Sequence, residues 1–152
     1  MNLSSPAFQD NQLIPSAFTC DGRDISPALL WSDPPAGTFQ FALVMDDPDA
    51  PGGTWTHWVI YNIPAANSGL AENIPPLDEL PDGCRQGCNS WSRVGYGGPC
   101  PPSGTHHYVF RLYALCRALH LEAGLTTQQL MPSIQRQILA EAHLTGLYKR
   151  EP

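Results

Sequence analysis

Asp47, His57, His106 and Tyr108 are the residues of this 152-residue chain whose types and surroundings suggest chemistry. In the alternating segment Trp55 to Ile63, His57 shares its parity with Trp55, Val59 and Tyr61. In the segment His106 to Cys116, His106 shares its parity with Tyr108, Phe110 and Leu112. A histidine on an apolar-rich face needs hydrogen-bond partners, and taken singly each reads first as a satisfied core histidine. Both lie beside turn-rich segments whose backbone groups are free to point inward, so the two can meet at one end of a sandwich. Asp47 closes the alternation Phe39, Phe41, Leu43, Met45, which aims it at the same side unless Pro48 redirects the chain. Its plainer reading is an Asp-Pro turn residue. Imidazole N–H groups, a tyrosine hydroxyl and loop amides can all donate to phosphate oxygens. Two histidines and a carboxylate are also the ligand set of a non-haem iron or hydrolytic zinc site. Against an enzyme, the sequence has no Gly-x-Ser-x-Gly elbow and no His-Glu-x-x-His helix.

The elements that must position these residues are strands. Three segments alternate with a period of two and are rich in aromatic or β-branched residues: Phe39 to Met45, Trp55 to Ile63 and His106 to Cys116. Residues 25–31 make a weaker candidate whose Pro27 suits an edge or a strand start. Sixteen prolines and thirteen glycines gather between these runs, as in Asp47-Pro-Asp-Ala-Pro-Gly-Gly and Gly97-Gly-Pro-Cys-Pro-Pro-Ser-Gly, and punctuate them. Near the end, Leu130, Ile134, Ile138, Leu139 and Ala142 recur at helical spacing, which predicts a C-terminal helix. Thr126 and Gln129 suit a capping box, Pro132 fits best in a first turn, and Gly146 suits a stop. The expected fold is mainly β: a two-sheet sandwich with a C-terminal helix and long Pro/Gly loops, in one domain over 1–152.

Composition removes several classes of function. A formal net charge of −6 with only eight scattered basic residues leaves no footprint for nucleic acid and disfavours an anionic lipid surface, so any anion site is built from local donors. No apolar run approaches the roughly 18 residues of a membrane span. The N-terminal residues lack the basic start and apolar stretch of a secretory signal, and a cytoplasmic protein is expected. Five cysteines, an odd number, argue against a complete disulfide framework and for mostly reduced thiols. Cys84 and Cys88 read as two exposed loop thiols rather than a loop disulfide or a metal half-site. Cys20 and Cys100 read as packed apolar thiols, with a redox role as the alternative.

Three motifs in order then become specific: Asp47-Pro-Asp-Ala-Pro51, Thr56-His-Trp58, and Gly98-Pro-Cys-Pro-Pro-Ser-Gly-Thr-His106-His-Tyr108. Together they resemble the phosphatidylethanolamine-binding protein family. Phe18-Thr-Cys-Asp-Gly22, Ser26-Pro27 to Trp31 and Gly146-Leu-Tyr148 are similar to its bacterial Raf-kinase-inhibitor-like branch, so the resemblance spans nearly the whole chain. It implies an antiparallel two-sheet sandwich with peripheral helices and a pocket at one end, lined by Asp47, Pro51, His57, Gly98, Pro99, His106 and Tyr108. His107 falls at the variable position of the pattern, and strand parity also turns it away. The implied ligand is a phosphorylated small molecule or lipid head group, bound without an obligatory metal or cofactor. A carboxylate beside phosphate is paradoxical unless Asp47 orients a histidine or meets an amine or hydroxyl of the ligand, as in phosphoethanolamine. The competing readings are a metal-dependent enzyme using Asp47, His57 and His106, and an inhibitor of kinases or proteases. The resemblance also implies a homodimer. Trp91 and Tyr96 read as packing for a long loop, with the pocket mouth or a dimer contact as alternatives.

Overall fold

The computed structural model describes residues 1–151. Its strands are β1 (Asn2–Ser4), β2 (Gln12–Leu13), β3 (Leu29–Ser32), β4 (Gln40–Asp47), β5 (Trp55–Pro64), β6 (Gly69–Leu70), β7 (Arg85–Gln86), β8 (His106–Leu115) and β9 (Ile138–Tyr148), with helix α1 (Thr127–Ile134) before the last. The larger sheet runs β2-β9-β8-β4-β5-β7 and the smaller β1-β3-β6. Pairing is antiparallel except between the short β2 and β9. No helix among the described residues is long and apolar enough to cross a membrane.

The three alternating segments expected as strands are β4, β5 and β8, and the weaker candidate is β3. β4 and β8 occupy the middle of the larger sheet; β4 is buried on both faces along its length, and β8 on both faces toward its C-terminal end. One face carries Phe41, Leu43, Met45, Phe110 and Leu112, packed against Leu3, Leu29, Trp31 and Leu70 of the smaller sheet. The other carries Ala42, Val44, Tyr113 and Leu115 beneath Leu130 and Ile134 of α1. This second burial explains why the central strands are richer in apolar residues than a half-solvated strand would be.

The predicted C-terminal helix is only half right. Leu130 and Ile134 lie in α1, but Ile138, Leu139 and Ala142 belong to β9. A spacing of four fits a helix and is also twice the strand period, so Ile134, Ile138 and Ala142 do not separate the two. Along 142–148 every second residue is buried, and β9 pairs with β8 from His106–Tyr148 to Leu115–Ile138. The capping box forms: Thr126 Oγ1 accepts from the Gln129 amide at 3.3 Å, while Gln129 Oε1 accepts from the Thr126 amide at 3.1 Å. Pro132 sits in the second turn rather than the first. Gly146 does not stop a helix; it faces Tyr108 across the sheet, and a Cβ there would overlap Ile14 and Phe8.

Strand parity along β5 is interrupted. Asp46 faces Thr56 and Met45 faces Trp58, so His57 is an extra residue in a β-bulge. Beyond it Trp58 and Ile60 turn to the inter-sheet core, while Val59 and Tyr61 pack under α1. His57 therefore does not share its face with Val59 and Tyr61, as simple alternation predicts. A second irregularity follows at Ala42, and there Asn62 adopts a left-handed φ of 54°.

Candidate ligand-binding site

The site lies where β4 ends and β5 and β8 begin. Asp47 is the last residue of β4 and does two jobs at once. Its Oδ1 accepts the Asp49 amide at 2.8 Å, turning the chain through Pro48, and its Oδ2 accepts Nδ1–H of His106 at 2.7 Å. The turn-residue reading and the site reading are both satisfied by one side chain. The next carboxylate ties the same two elements together on the outside, since Asp49 Oδ2 accepts both the amide and Nδ1–H of His107 at 2.7 Å. His107 is exposed and belongs to this outer clamp, away from the cleft.

The bulge delivers His57 to the cleft. Its Nδ1 lies 2.7 Å from the Gly97 carbonyl, and the Gly97 amide donates back to the His57 carbonyl at 3.0 Å. A carbonyl only accepts, so Nδ1 carries the proton. Among the described residues no group bonds Nε2, and the side chain faces the cleft. Burial pushes the imidazole pKa below its ordinary value, against smaller opposing effects of the Gly97 carbonyl and the Asp47 charge, so His57 is neutral at pH 7. Trp91 meets the His57 ring edge-on at 4.9 Å, and Tyr108 meets it edge-on at 5.2 Å. Gly97 has no room for a side chain, because a Cβ would overlap the Trp91 ring.

Tyr108 forms the floor. Its ring is fully buried and stacks at 6.4 Å on His106. Among the described residues its hydroxyl is the one buried side-chain polar atom without a hydrogen-bond partner. Burial, followed by the charges of Asp47 and Asp49, pushes the phenol pKa up, so it keeps its proton.

These groups open into a cleft of about 680 Å³. Five of the seven expected site residues line it: Asp47, Pro51, His57, His106 and Tyr108. Gly98 and Pro99 do not. The Gly98 amide donates to Asp24 Oδ1 at 2.8 Å, and the Pro99 carbonyl accepts the Cys20 amide at 3.1 Å, so both face the segment 18–24 behind the wall. The wall is made by the next three residues, Cys100, Pro101 and Pro102. Also missed were Trp55, which precedes His57 by two, and the backbone of Gly52 to Thr54. Trp91 lines the cleft as well, whereas Tyr96 packs on Trp58 and donates to the Phe18 carbonyl at 2.6 Å. The aromatic-rich loop thus serves the mouth through one residue and the core through the other.

Cys20 and Cys100 form a disulfide with a Cα–Cα distance of 5.4 Å, which corrects their reading as packed thiols. The bond joins positions 80 residues apart and pins the wall to the segment 18–24. Cys84, Cys88 and Cys116 are free, and Cys84 is fully buried rather than exposed. Among the described residues no three His, Cys, Asp or Glu side chains are grouped as a metal set. Asp47, His57 and His106 line one cleft, and Nδ1 of each histidine is held by a carbonyl or carboxylate.

A two-sheet β fold with a cleft at one end of the larger sheet is consistent with a domain that binds small ligands. The family model of the phosphatidylethanolamine-binding proteins matches residues 4–149, and the chain belongs to that family. It is 51% identical to a UPF0098 protein of Methanothermobacter thermautotrophicus, over 99% of either chain. Two crystal structures are similar throughout. A homologue from Chlamydia trachomatis has a TM-score of 0.91 at 37% identity, covering 99% of this chain and 97% of that one. YbcL of E. coli, described as a member of the mammalian family, has a TM-score of 0.91 at 32% identity, covering 99% and 98%.

Proposed function

We propose that this protein is a binding module for small phosphoryl-bearing ligands, such as phosphate or a phosphoethanolamine-like head group, with no covalent step. The observation that carries the reading is the buried Tyr108 hydroxyl, a protonated donor at the floor of the cleft that has no hydrogen-bond partner among the described residues. A buried hydroxyl left unpaired costs about 1–3 kcal/mol, which an anionic oxygen seated above it recovers. His106, oriented by its Nδ1–H bond to Asp47, lines the same cleft. Pro51, Pro101 and Pro102 stiffen the walls, so little ordering is needed on binding. With a net charge of −6, attraction is confined to the cleft, and nucleic acid is outside the proposal.

Calorimetry with inorganic phosphate and with phosphoethanolamine tests the reading, using His106→Ala and Tyr108→Phe as controls. Binding weakened in both variants supports it. Affinity unchanged in both refutes the site, and a stoichiometric metal retained through dialysis would reinstate the enzyme. The compartment is part of the same proposal. A cytoplasmic location stands against the Cys20–Cys100 bond, because disulfides persist chiefly in oxidising compartments, and thiol labelling of the protein from its own cells decides between them.

A further inference from the structure

The polar groups around the cleft are not all donors. Asp47 already accepts from the Asp49 amide and from His106, and any further lone pair it turns to a ligand can only accept. His57 is more constrained, because the Gly97 carbonyl holds its proton on Nδ1 at 2.7 Å and the reciprocal Gly97 amide bond fixes the ring beside it. The nitrogen facing the cleft is therefore a bare acceptor. Trp91 and Tyr108, both edge-on to the ring, block its rotation. The donor is the Tyr108 hydroxyl, which suits an unprotonated oxyanion oxygen. One cleft thus presents a donor at its floor and a fixed acceptor on its wall.

Resting on the phosphoryl-binding reading, we infer that His57 makes the cleft selective for phosphoryl ligands that retain a P–OH, and selective against sulfate and phosphodiesters. Both hydrogenphosphate and dihydrogenphosphate carry the proton that Nε2 can accept, and so does the monoanion of a phosphomonoester. Sulfate has the same shape but carries no proton at neutral pH, so its oxygen would face the nitrogen lone pair. Reversing the nitrogen into a donor requires an imidazolium, which the burial of His57 disfavours. An acceptor matched on one ligand and opposed by a lone pair on the other is the kind of difference that gives strong discrimination between isosteres.

The test is calorimetry on the intact protein at pH 7 and constant ionic strength, titrating phosphate, sulfate and dimethyl phosphate. Phosphate is expected to bind roughly tenfold or more tighter than sulfate, with dimethyl phosphate also weak. His57→Asn keeps an amide N–H for the Gly97 carbonyl and removes the Nε2 acceptor, so it should bring the phosphate-to-sulfate ratio close to one. Nitrogen NMR of the wild type supplies an independent readout, since the signal of the unprotonated His57 Nε2 should move with phosphate and not with sulfate. Phosphate and sulfate binding within about twofold of each other, or a ratio untouched by His57→Asn, overturns the selectivity while leaving the phosphoryl site standing. Binding of none of the three overturns both.

Discussion

His106 donates Nδ1–H to Oδ2 of Asp47 across 2.7 Å, and both side chains are buried. The bond joins the last residue of β4 to the first of β8 and fixes the histidine tautomer at the cleft. Asp47 is thereby spent on the protein, one oxygen on His106 and the other on the Asp49 amide.

Removing that partner should cost stability. Asp47→Ala strands the buried Nδ1–H of His106 and the Asp49 amide, and is expected to lower the unfolding free energy by about 2–4 kcal/mol in urea titrations. Asp47→Asn has a single oxygen and keeps an acceptor for only one of the two donors, so it should recover only part of that loss.

Tyr108→Phe should separate binding from folding in the opposite sense. Its hydroxyl has no hydrogen-bond partner among the described residues, so deleting it is expected to leave the melting temperature unchanged or slightly raised. Phosphate affinity should fall about five- to tenfold, for the loss of one hydrogen bond to a charged acceptor. A parallel melt and titration of one variant checks both.

The buried His57 predicts a pH dependence of stability. Its folded pKa lies below the ordinary 6.5, so below that value the unfolded chain binds the proton more readily than the folded one. Its contribution is complete above about pH 6.5 and is lost progressively as pH falls toward the folded value. The difference in unfolding free energy between wild type and His57→Asn should therefore shrink as pH drops from 7 to 5, as measured by denaturant titration.

Reducing the Cys20–Cys100 bond releases a closure of 80 residues. Chain entropy puts the cost at up to about 4–5 kcal/mol, so a phosphine reductant or a Cys20→Ser, Cys100→Ser double variant should lower the midpoint of unfolding markedly. Between Cys100 and the start of β8 the wall residues Pro101 and Pro102 have no backbone amide to bond. Phosphate affinity should fall along with stability, even in conditions where the reduced protein remains folded.

The local signals in the amino-acid sequence were enough for the strands β4, β5 and β8, for the Thr126 cap, and for bringing Asp47, His57, His106 and Tyr108 to one cleft. Each follows from side-chain alternation, turn chemistry or motif order, which are properties of a few neighbouring residues. What the tertiary structure alone decided is non-local. β9 is a strand because β8 offers it a full ladder, although a spacing of four suits helix and strand alike. His57 reaches the cleft through a bulge visible only in the register of β5 against β4. Cys20 and Cys100 are brothers across 80 residues only once the loop before β8 rests on the segment after β2. The same contact turns Gly98 and Pro99 away from the cleft, toward segment 18–24, and leaves Pro101 and Pro102 to line it. Periodicity records which face a residue prefers, whereas pairing, bulges and covalent closure depend on a partner that the chain meets only after folding.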